Sequence, residues 1–410
     1  MAWFSPRLPD RTGIAAYTAE LLPHLERDWH IDSYDERNAF DFVWRARRHP
    51  YDLVVYQLGN ARWHDWMWGY LAAYPGLAVL HDARLHHARA RLLLVAHRDE
   101  DYRREFRYNH PDVRPDAAEY AVAAMGGPIQ YLWPMRRVVL RTARRVAVHA
   151  ALVADELRRE EPSTPIDTIR MGVPGIGASA DARGRVRAAF GIPPTAIVFT
   201  AFGKMTAEKR LAQMLDALEV LAAEGLDVHL LLVGEDGESF ASRFHITSHV
   251  HTAGYVPESE IGAHLLASDI CLCLRWPTAL ETSASWLRCL AAGRATIVTD
   301  LAHTADVPTN VARRVGLLDE VPSLIAAMRE LATHESTRTA VAEAGRAWWT
   351  ANHTVEAMAS DYRRVVASAL ASPAPMPSDL PSHFLEDFSG NARSIANRYG
   401  VSVDILDSQS

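Results

Sequence analysis

Phe199-Thr-Ala-Phe-Gly203-Lys204-Met-Thr-Ala-Glu-Lys209-Arg210 is the stretch that decides the fold. An apolar run, Ile197 to Phe202, reads as a buried strand that stops at a glycine. Two lysines follow, and then an amphipathic pattern over 207–224 that reads as a helix. Strand, glycine turn and helix N-terminus make a place for an anion, because lysines and free backbone N–H groups both favour negative charge. Among 43 basic residues these are the only two lysines; all the others are arginine. Chance would put two lysines this close in roughly one chain of forty. An ammonium is a compact, hydrated point charge and a guanidinium a wide fork, so a site that needs the compact ion retains lysine. The alternative is a pair of lysines on a solvated helix start.

Working outward, the C-terminal half alternates. Strands are expected at Val228 to Val233, His249 to Thr252, Ile270 to Leu274 and Thr296 to Thr299, with helices at 258–267, 282–292, 319–333, 336–351 and 354–370. The N-terminal half alternates too. Strands are expected at Ala2 to Phe4, Leu53 to Tyr56, Leu77 to Leu80 and Arg145 to His149, with helices at Gly13 to Leu25, 62–73 and 128–143. Residues 99–127 are charged and read as an irregular insertion. Alternation of this kind implies parallel sheets covered on both faces, hence an α/β chain with two Rossmann-like doubly wound domains facing a central cleft. The turn-rich Met171-Gly-Val-Pro-Gly-Ile-Gly177 marks the boundary. The expected organisation is 1–172, 173–353, a helix at 354–370 packing back towards the first domain, and a loosely structured tail at 371–410.

A second segment carries chemistry: Leu274-Arg275-Trp-Pro-Thr278-Ala-Leu-Glu281-Thr282-Ser283. A strand ends at Arg275, a Pro/Thr turn leads to Glu281, and a helix begins at Thr282 and Ser283. A carboxylate there can accept from sugar or ribose hydroxyls, and the new helix's N–H groups can hold a phosphate. Otherwise Glu281 is a first-turn acid that offsets the helix dipole.

Composition excludes several classes. The 410 residues carry a net charge of −7, which gives no reason to expect nucleic-acid binding. No apolar run approaches the ~20 residues of a membrane span, and Met1-Ala-Trp-Phe-Ser-Pro6 is not read as a signal peptide. Cys271, Cys273 and Cys289 read as buried thiols in a reducing compartment. The expected location is cytoplasmic, with peripheral contact at the inner membrane face left open. Asp99-Glu-Asp101 is a literal Asp-x-Asp, but no strand precedes it, and no metal ligand set is expected.

With these segments in place, the chain resembles the retaining glycosyltransferase family 4 (glycosyltransferase group 1), with the GT-B fold, over about residues 1–370. The resemblance implies that Gly203, Lys204 and Lys209 grip the donor pyrophosphate. Gly254-Tyr255-Val256-Pro257 is similar to a segment near the nucleotide base. Leu274 to Ser283 resembles the LR-x-PT-x-x-ETS form of one subgroup, which makes Arg275, Glu281, Thr282 and Ser283 donor residues. Pro9-Asp-Arg-Thr-Gly13-Ile14-Ala-Ala-Tyr17 resembles the glycine loop under the donor phosphates. Tyr56-Gln57-Leu58-Gly59-Asn60 and Val79-Leu80-His81-Asp82 resemble N-domain cleft segments. His81 matches the histidine near the transferred sugar, which it would orient by side chain or backbone; it also fits a satisfied core histidine.

The resemblance further implies retention of anomeric configuration with no catalytic metal and no cofactor. The substrate is a nucleotide sugar such as a UDP- or GDP-sugar, with Lys204 and Lys209 stabilising the leaving group. There is one departure. The family carries two glutamates separated by seven residues; here the second falls on Cys289 by counting and on Arg288 by alignment to Gly293, which leaves the ribose contact open. An epimerase of the same fold and a non-catalytic nucleotide-sugar sensor are the alternative functions. A phosphorylase would need a pyridoxal lysine.

Acceptors in such folds bind mainly to the N-domain. Asn60, Trp63, His64, Arg84 and His87 are the candidates for a glycan or lipid-linked acceptor, with the tryptophans divided between sugar stacking and core. Arg137, Arg141, Arg144 and Arg145 are expected on one helical face, which would dock anionic lipid or a phosphorylated acceptor, or simply face solvent.

Overall fold

The computed structural model describes residues 1–177, 181–237, 249–377 and 379–385. The strands are β1 (Ala2–Phe4), β2 (Asp32–Tyr34), β3 (Val54–Leu58), β4 (Leu77–Leu80), β5 (Arg145–Val148), β6 (Ile166–Thr168), β7 (Ile197–Phe202), β8 (Val228–Val233), β9 (Val250–Gly254), β10 (Ile270–Cys273), β11 (Ala295–Thr299) and β12 (Arg313–Val315). They form two six-stranded sheets, ordered β2-β1-β3-β4-β5-β6 and β12-β11-β10-β7-β8-β9. Every pairing is parallel. All residues of β3 and β8 are buried, because helices cover both faces of a parallel sheet.

Local signals explain the elements that position the site. Helix Gly13–Leu25 starts at Thr12, whose hydroxyl accepts from Ala15 N at 3.0 Å, and it buries Ala15, Tyr17, Leu21 and Leu25. Helix Ala284–Ala291 is capped by Ser283, which accepts from Trp286 N at 3.2 Å. The chain passes between the lobes at Gly172, where a Cβ would lie 2.3 Å from Thr354 O. Helix Val355–Ala371 then returns to the first lobe, and Tyr362 Oη lies 2.7 Å from Tyr17 Oη. One apolar core unites the lobes: Trp3, Tyr17 and Leu21 share it with Trp286, Leu287 and Met358.

Several expectations change. Residues 99–127 are not irregular: Asp99–Asn109 and Ala118–Val122 are helices that pack Tyr102, Phe106 and Ala118 against Leu93 and Met135 as a separate small core. The helix expected over 128–143 breaks into Ile129–Leu132 and Arg137–Thr142. Short edge strands β2, β6 and β12 are partly exposed and lack a clear apolar alternation. The tail is not loose at 380–384: Leu380 and Phe384 are buried in the first lobe, and His383 Nε2 meets Glu105 Oε1 at 2.6 Å. The rest of the expected tail, 386–410, lies outside the described residues.

The four arginines share no helical face. Arg144 and Arg145 lie beyond the helix, and all four have partners: Glu161 at 3.7 Å, Asp379 at 3.4 Å, the Pro75 carbonyl at 2.9 Å and Asp167 at 2.6 Å, in chain order. Asp101 of Asp99-Glu-Asp101 is held by Arg98 and Arg104 at 2.8 Å. Among the described residues no helix is long and apolar enough to cross a membrane.

Candidate functional site

The carboxyl ends of both sheets open onto one cleft, the usual ligand position in doubly wound folds. At its centre β7 is followed by Gly203, with φ +98°. A Cβ there would lie 2.9 Å from Ser285 Oγ and 3.1 Å from Lys209 Nζ, and the left-handed φ favours glycine whatever those side chains do. Lys209 follows on a short 3₁₀ turn, Ala207–Lys209, and its ammonium donates to the Phe202 carbonyl. Burial, and after it the charge of Arg275, brings the Lys209 pKa down to about 8. Lys204 stands apart, exposed, 3.5 Å from Asp236.

Glu281 is fixed on both oxygens. Arg275 Nε lies 3.0 Å from Oε1, while Thr278 Oγ1 and Ala279 N donate to Oε2 at 2.8 Å each. This turn crosses to the other lobe: Ala83 N and Arg84 N donate to the Ala279 carbonyl at 2.9 and 3.1 Å. The expected loop from Arg275 to Ser283 is therefore held by both lobes.

Two cavities flank this centre. One of about 230 Å³ runs from Lys209, Arg275, Glu281, Thr282 and Ser283 towards Trp286 and His303. The other, of about 280 Å³, lies between the loop at Thr12 and Gly13, the strand end at Gly203 and Lys204, and Tyr255 and Val256. Phe202 and Ser285 line both. Nothing lies within 4 Å of a Cβ built on Gly13, so the glycine loop leaves open space there. Tyr255 is half exposed, with Arg11 stacked at 4.2 Å over its ring.

Residues 288 and 289 face different surroundings. Cys289 is fully buried beside Cys273 Sγ at 3.9 Å, whereas Arg288 lines the second cavity. Arg288 pairs with Glu20 of helix Gly13–Leu25 and with Glu258, at the start of helix Glu258–Ala267.

The sequence model of the family described as Glycosyl transferases group 1 matches residues 196–334. Solved structures match nearly the whole chain. Sucrose-phosphate synthase from Thermosynechococcus elongatus is 15% identical at a TM-score of 0.66, covering 90% of this chain and 98% of that one. WaaG, a glycosyltransferase involved in lipopolysaccharide biosynthesis, is 14% identical at 0.61, covering 89% and 99%. Anabaena Alr3699/HepE, solved with UDP-glucose, is 12% identical at 0.62, covering 90% and 99%. The chain has the GT-B fold. A search of curated proteins by sequence gave no match.

The N-lobe of this GT-B chain departs most from expectation. His81 is buried, its Nε2 2.8 Å from Gln57 Oε1 and its ring edge-on to Tyr17 at 4.7 Å. Burial, then His149, holds its pKa well below the usual range, so it is a neutral imidazole. Gln57 Nε2 reaches Tyr362 Oη at 3.2 Å, which ties this histidine to the returning helix.

His64 is fully buried with Nδ1 2.8 Å from the Gln57 carbonyl, and burial lowers its pKa to about 4. It packs beneath Gly59 and offers no surface to an acceptor. Asn60 ties its own loop, donating to Arg84 O at 2.6 Å and accepting from Ala88 N at 3.2 Å. Arg84 reaches Thr278 O at 3.3 Å. Trp63 and His87 are half-buried, with Arg62 over the first and Tyr131 at 4.6 Å from the second. Trp68 is core, under Arg89 at 4.3 Å.

Sequence reasoning passed over Asp82. Its carboxylate accepts from Asn60 N at 2.7 Å. Burial, then the charge of Glu281 across the cleft, raises its pKa to about 7. The signal available was its place beside His81 at the end of an apolar strand.

Proposed function

We propose that this GT-B chain is a retaining, metal-independent hexosyltransferase. It moves a sugar from a nucleoside-diphosphate sugar to a glycan or lipid-linked acceptor. The observation that carries the reading is the joint between the two cavities. Gly203, Lys209 and Ser285 meet where Phe202 and Ser285 line both chambers. A diphosphate at that joint puts a nucleoside in the chamber of Gly13, Tyr255 and Val256. It puts a sugar in the chamber of Glu281, Thr282 and Ser283. The match of residues 196–334 to group 1 glycosyltransferases and the GT-B neighbour crystallised with UDP-glucose support a nucleotide-sugar donor.

In this reading the bond between the anomeric carbon and the β-phosphate oxygen breaks. The acceptor hydroxyl oxygen bonds to the same face of that carbon. The hydroxyl proton passes to the departing phosphate oxygen. Lys209, with Lys204 swinging from the rim, carries the growing charge on the diphosphate. Glu281, locked by Arg275 and Thr278, accepts from sugar hydroxyls. His81 and Asp82 lie at the N-lobe strand end and line neither chamber, so no sugar contact is assigned to them.

The test is a thermal-shift panel of UDP-, GDP- and ADP-sugars, followed by nucleotide release with and without EDTA. A donor that binds raises the melting temperature by mass action. Turnover that persists in EDTA supports fixed cations as the neutralising charge. Loss in EDTA, restored by Mg²⁺ or Mn²⁺, overturns metal independence. Absence of any nucleotide-dependent shift overturns the function.

A further inference from the structure

Gly293 and Arg294 join helix Ala284–Ala291 to β11. Asp269 comes just before β10 and accepts from Val198 N, near the start of β7, at 2.8 Å. These residues therefore lie at the amino edge of the second sheet, opposite the cleft at Gly203. Helix Glu335–Asn352 passes this edge and packs tightly on Leu290: a Cβ on Gly345 would lie 2.7 Å from Leu290 Cδ2. Arg338, Ala342 and Arg346 recur every four residues along that helix and share one face. With Gly293, Arg294, Asp269 and Glu343 they line a cavity of about 290 Å³.

The charges around this cavity do not balance. Asp269 is already paired, with Arg183 at 2.7 Å on Oδ1 and Arg187 at 2.6 Å on Oδ2. The other carboxylate of the lining, Glu343, is exposed. Three guanidinium groups stand against it. Arg294 donates from Nε to Ala292 O at 3.1 Å and from Nη1 to Ser268 O at 3.0 Å, which leaves Nη2 without a partner among the described residues. Arg338 spends Nη1 on the Leu331 and Ala332 carbonyls, at 2.7 and 3.3 Å, and keeps Nε and Nη2 unused among the described residues. Arg346 makes no side-chain hydrogen bond or ion pair among the described residues, and its Nη1 lies 3.4 Å from the place of a Gly293 Cβ. Burial lowers the Arg294 pKa, and the charges of Arg183 and Arg346 push the same way. An arginine cannot shed its proton to relieve such crowding. An anion from outside can.

We propose that this cavity is a second anion site, which takes a small phosphorylated molecule on Arg294, Arg338 and Arg346. Guanidinium forks match the paired oxygens of a phosphate. The volume is at the small end for small-molecule sites and exceeds the need of a bare ion. The cavity shares no lining residue with either chamber of the cleft. The site therefore stands independently of the donor reading.

The experiment is calorimetric titration of inorganic phosphate and of glucose 6-phosphate into the full chain carrying Lys209→Met, which removes the buried ammonium of the cleft. At least one probe should saturate one site with a dissociation constant below about 5 mM, a free energy of roughly −3 kcal/mol or better. Adding Arg346→Ala should weaken that binding about tenfold, the usual loss for a charge-assisted hydrogen bond. Arg346 is exposed, so its removal leaves the fold intact, and an unchanged melting temperature checks this. Adding Glu343→Gln instead should tighten binding about two- to fivefold by removing the one repelling charge. Failure of both probes to saturate overturns the proposal. So does an Arg346→Ala chain that binds as well as its parent, which would place the anion elsewhere. A Glu343→Gln chain that binds more weakly overturns the charge argument and the proposal with it. None of these outcomes touches the donor reading, which the nucleotide-sugar panel decides.

Discussion

Lys209→Met should damage function and improve stability at the same time. The folded chain holds this ammonium at a pKa of about 8 against an ordinary 10.5. At about 1.4 kcal/mol per pKa unit, the fold carries roughly 3 kcal/mol of unfavourable charging at this residue. That is an upper limit, since one edge of the side chain faces the cavity. The unfolded chain binds this proton more tightly, so the penalty is fully present below pH 8. It is relieved as pH rises from about 8 towards 10.5. Methionine keeps the stem's packing and removes the charge. It also gives up the hydrogen bond to the Phe202 carbonyl, about 1 kcal/mol. The net expectation at pH 7 is a gain of about 1–2 kcal/mol, a few degrees in melting temperature, and a flatter stability profile between pH 8 and 10. Turnover should fall about 10²–10³-fold, the usual cost of removing one fixed donor aimed at a developing oxyanion. Melting curves across pH and release of nucleoside diphosphate from the donor found in the panel read both quantities. A variant that turns over within tenfold of the parent refutes the leaving-group role. One that is inactive but melts well below the parent at pH 7 refutes the charge argument and makes Lys209 a structural residue.

Gly203→Ala forces a side chain into φ +98° and into contact with Ser285 Oγ, at a cost of about 1–3 kcal/mol; calorimetry should show at least tenfold weaker nucleotide binding. Asp82→Asn bears on pH. The folded carboxyl keeps its proton to about pH 7 while the unfolded one ionises near 3.8, so the parent loses stability as pH rises between those values. The asparagine variant should melt a few degrees above the parent at pH 8 and alongside it at pH 3, measured by calorimetry. Phe384→Ala removes a buried ring that lies 5.3 Å from the Arg89 guanidinium, and it should cost about 3 kcal/mol in denaturant unfolding. Unchanged stability there would mean that the segment 379–385 does not clasp the N-lobe.

The alternation of apolar runs with helical patterns was enough to read two doubly wound halves, and β1, β4, β7 and β8 have the bounds that the sequence implied. Buried parallel strands announce themselves because both faces must be apolar. The lysine pair and the Glu281 turn stood out as candidates for a similar reason: each follows such a strand, and strand ends are where a doubly wound sheet presents chemistry; the structure buries Lys209 and leaves Lys204 exposed beside Asp236. The edge strands β2, β6 and β12 were not legible, since a short strand paired on one side needs no alternation. The helices of 99–122 were hidden by their charge, because their core is shared with Leu93 and Met135 from elsewhere in the chain.

The sequence could list His64, His81, Arg288 and Cys289 as candidates but could not rank them. Ranking depends on which way each side chain faces once the lobes pack, and that is set by contacts between residues hundreds of positions apart. Tyr17 with Tyr362, Glu20 with Arg288 and Ala83 with Ala279 are such pairs. Local pattern determined which elements form, because hydrogen-bond periodicity and burial act along the chain. Tertiary structure alone decided which charges are buried, paired or left facing the cleft, because desolvation is a property of the assembled surroundings.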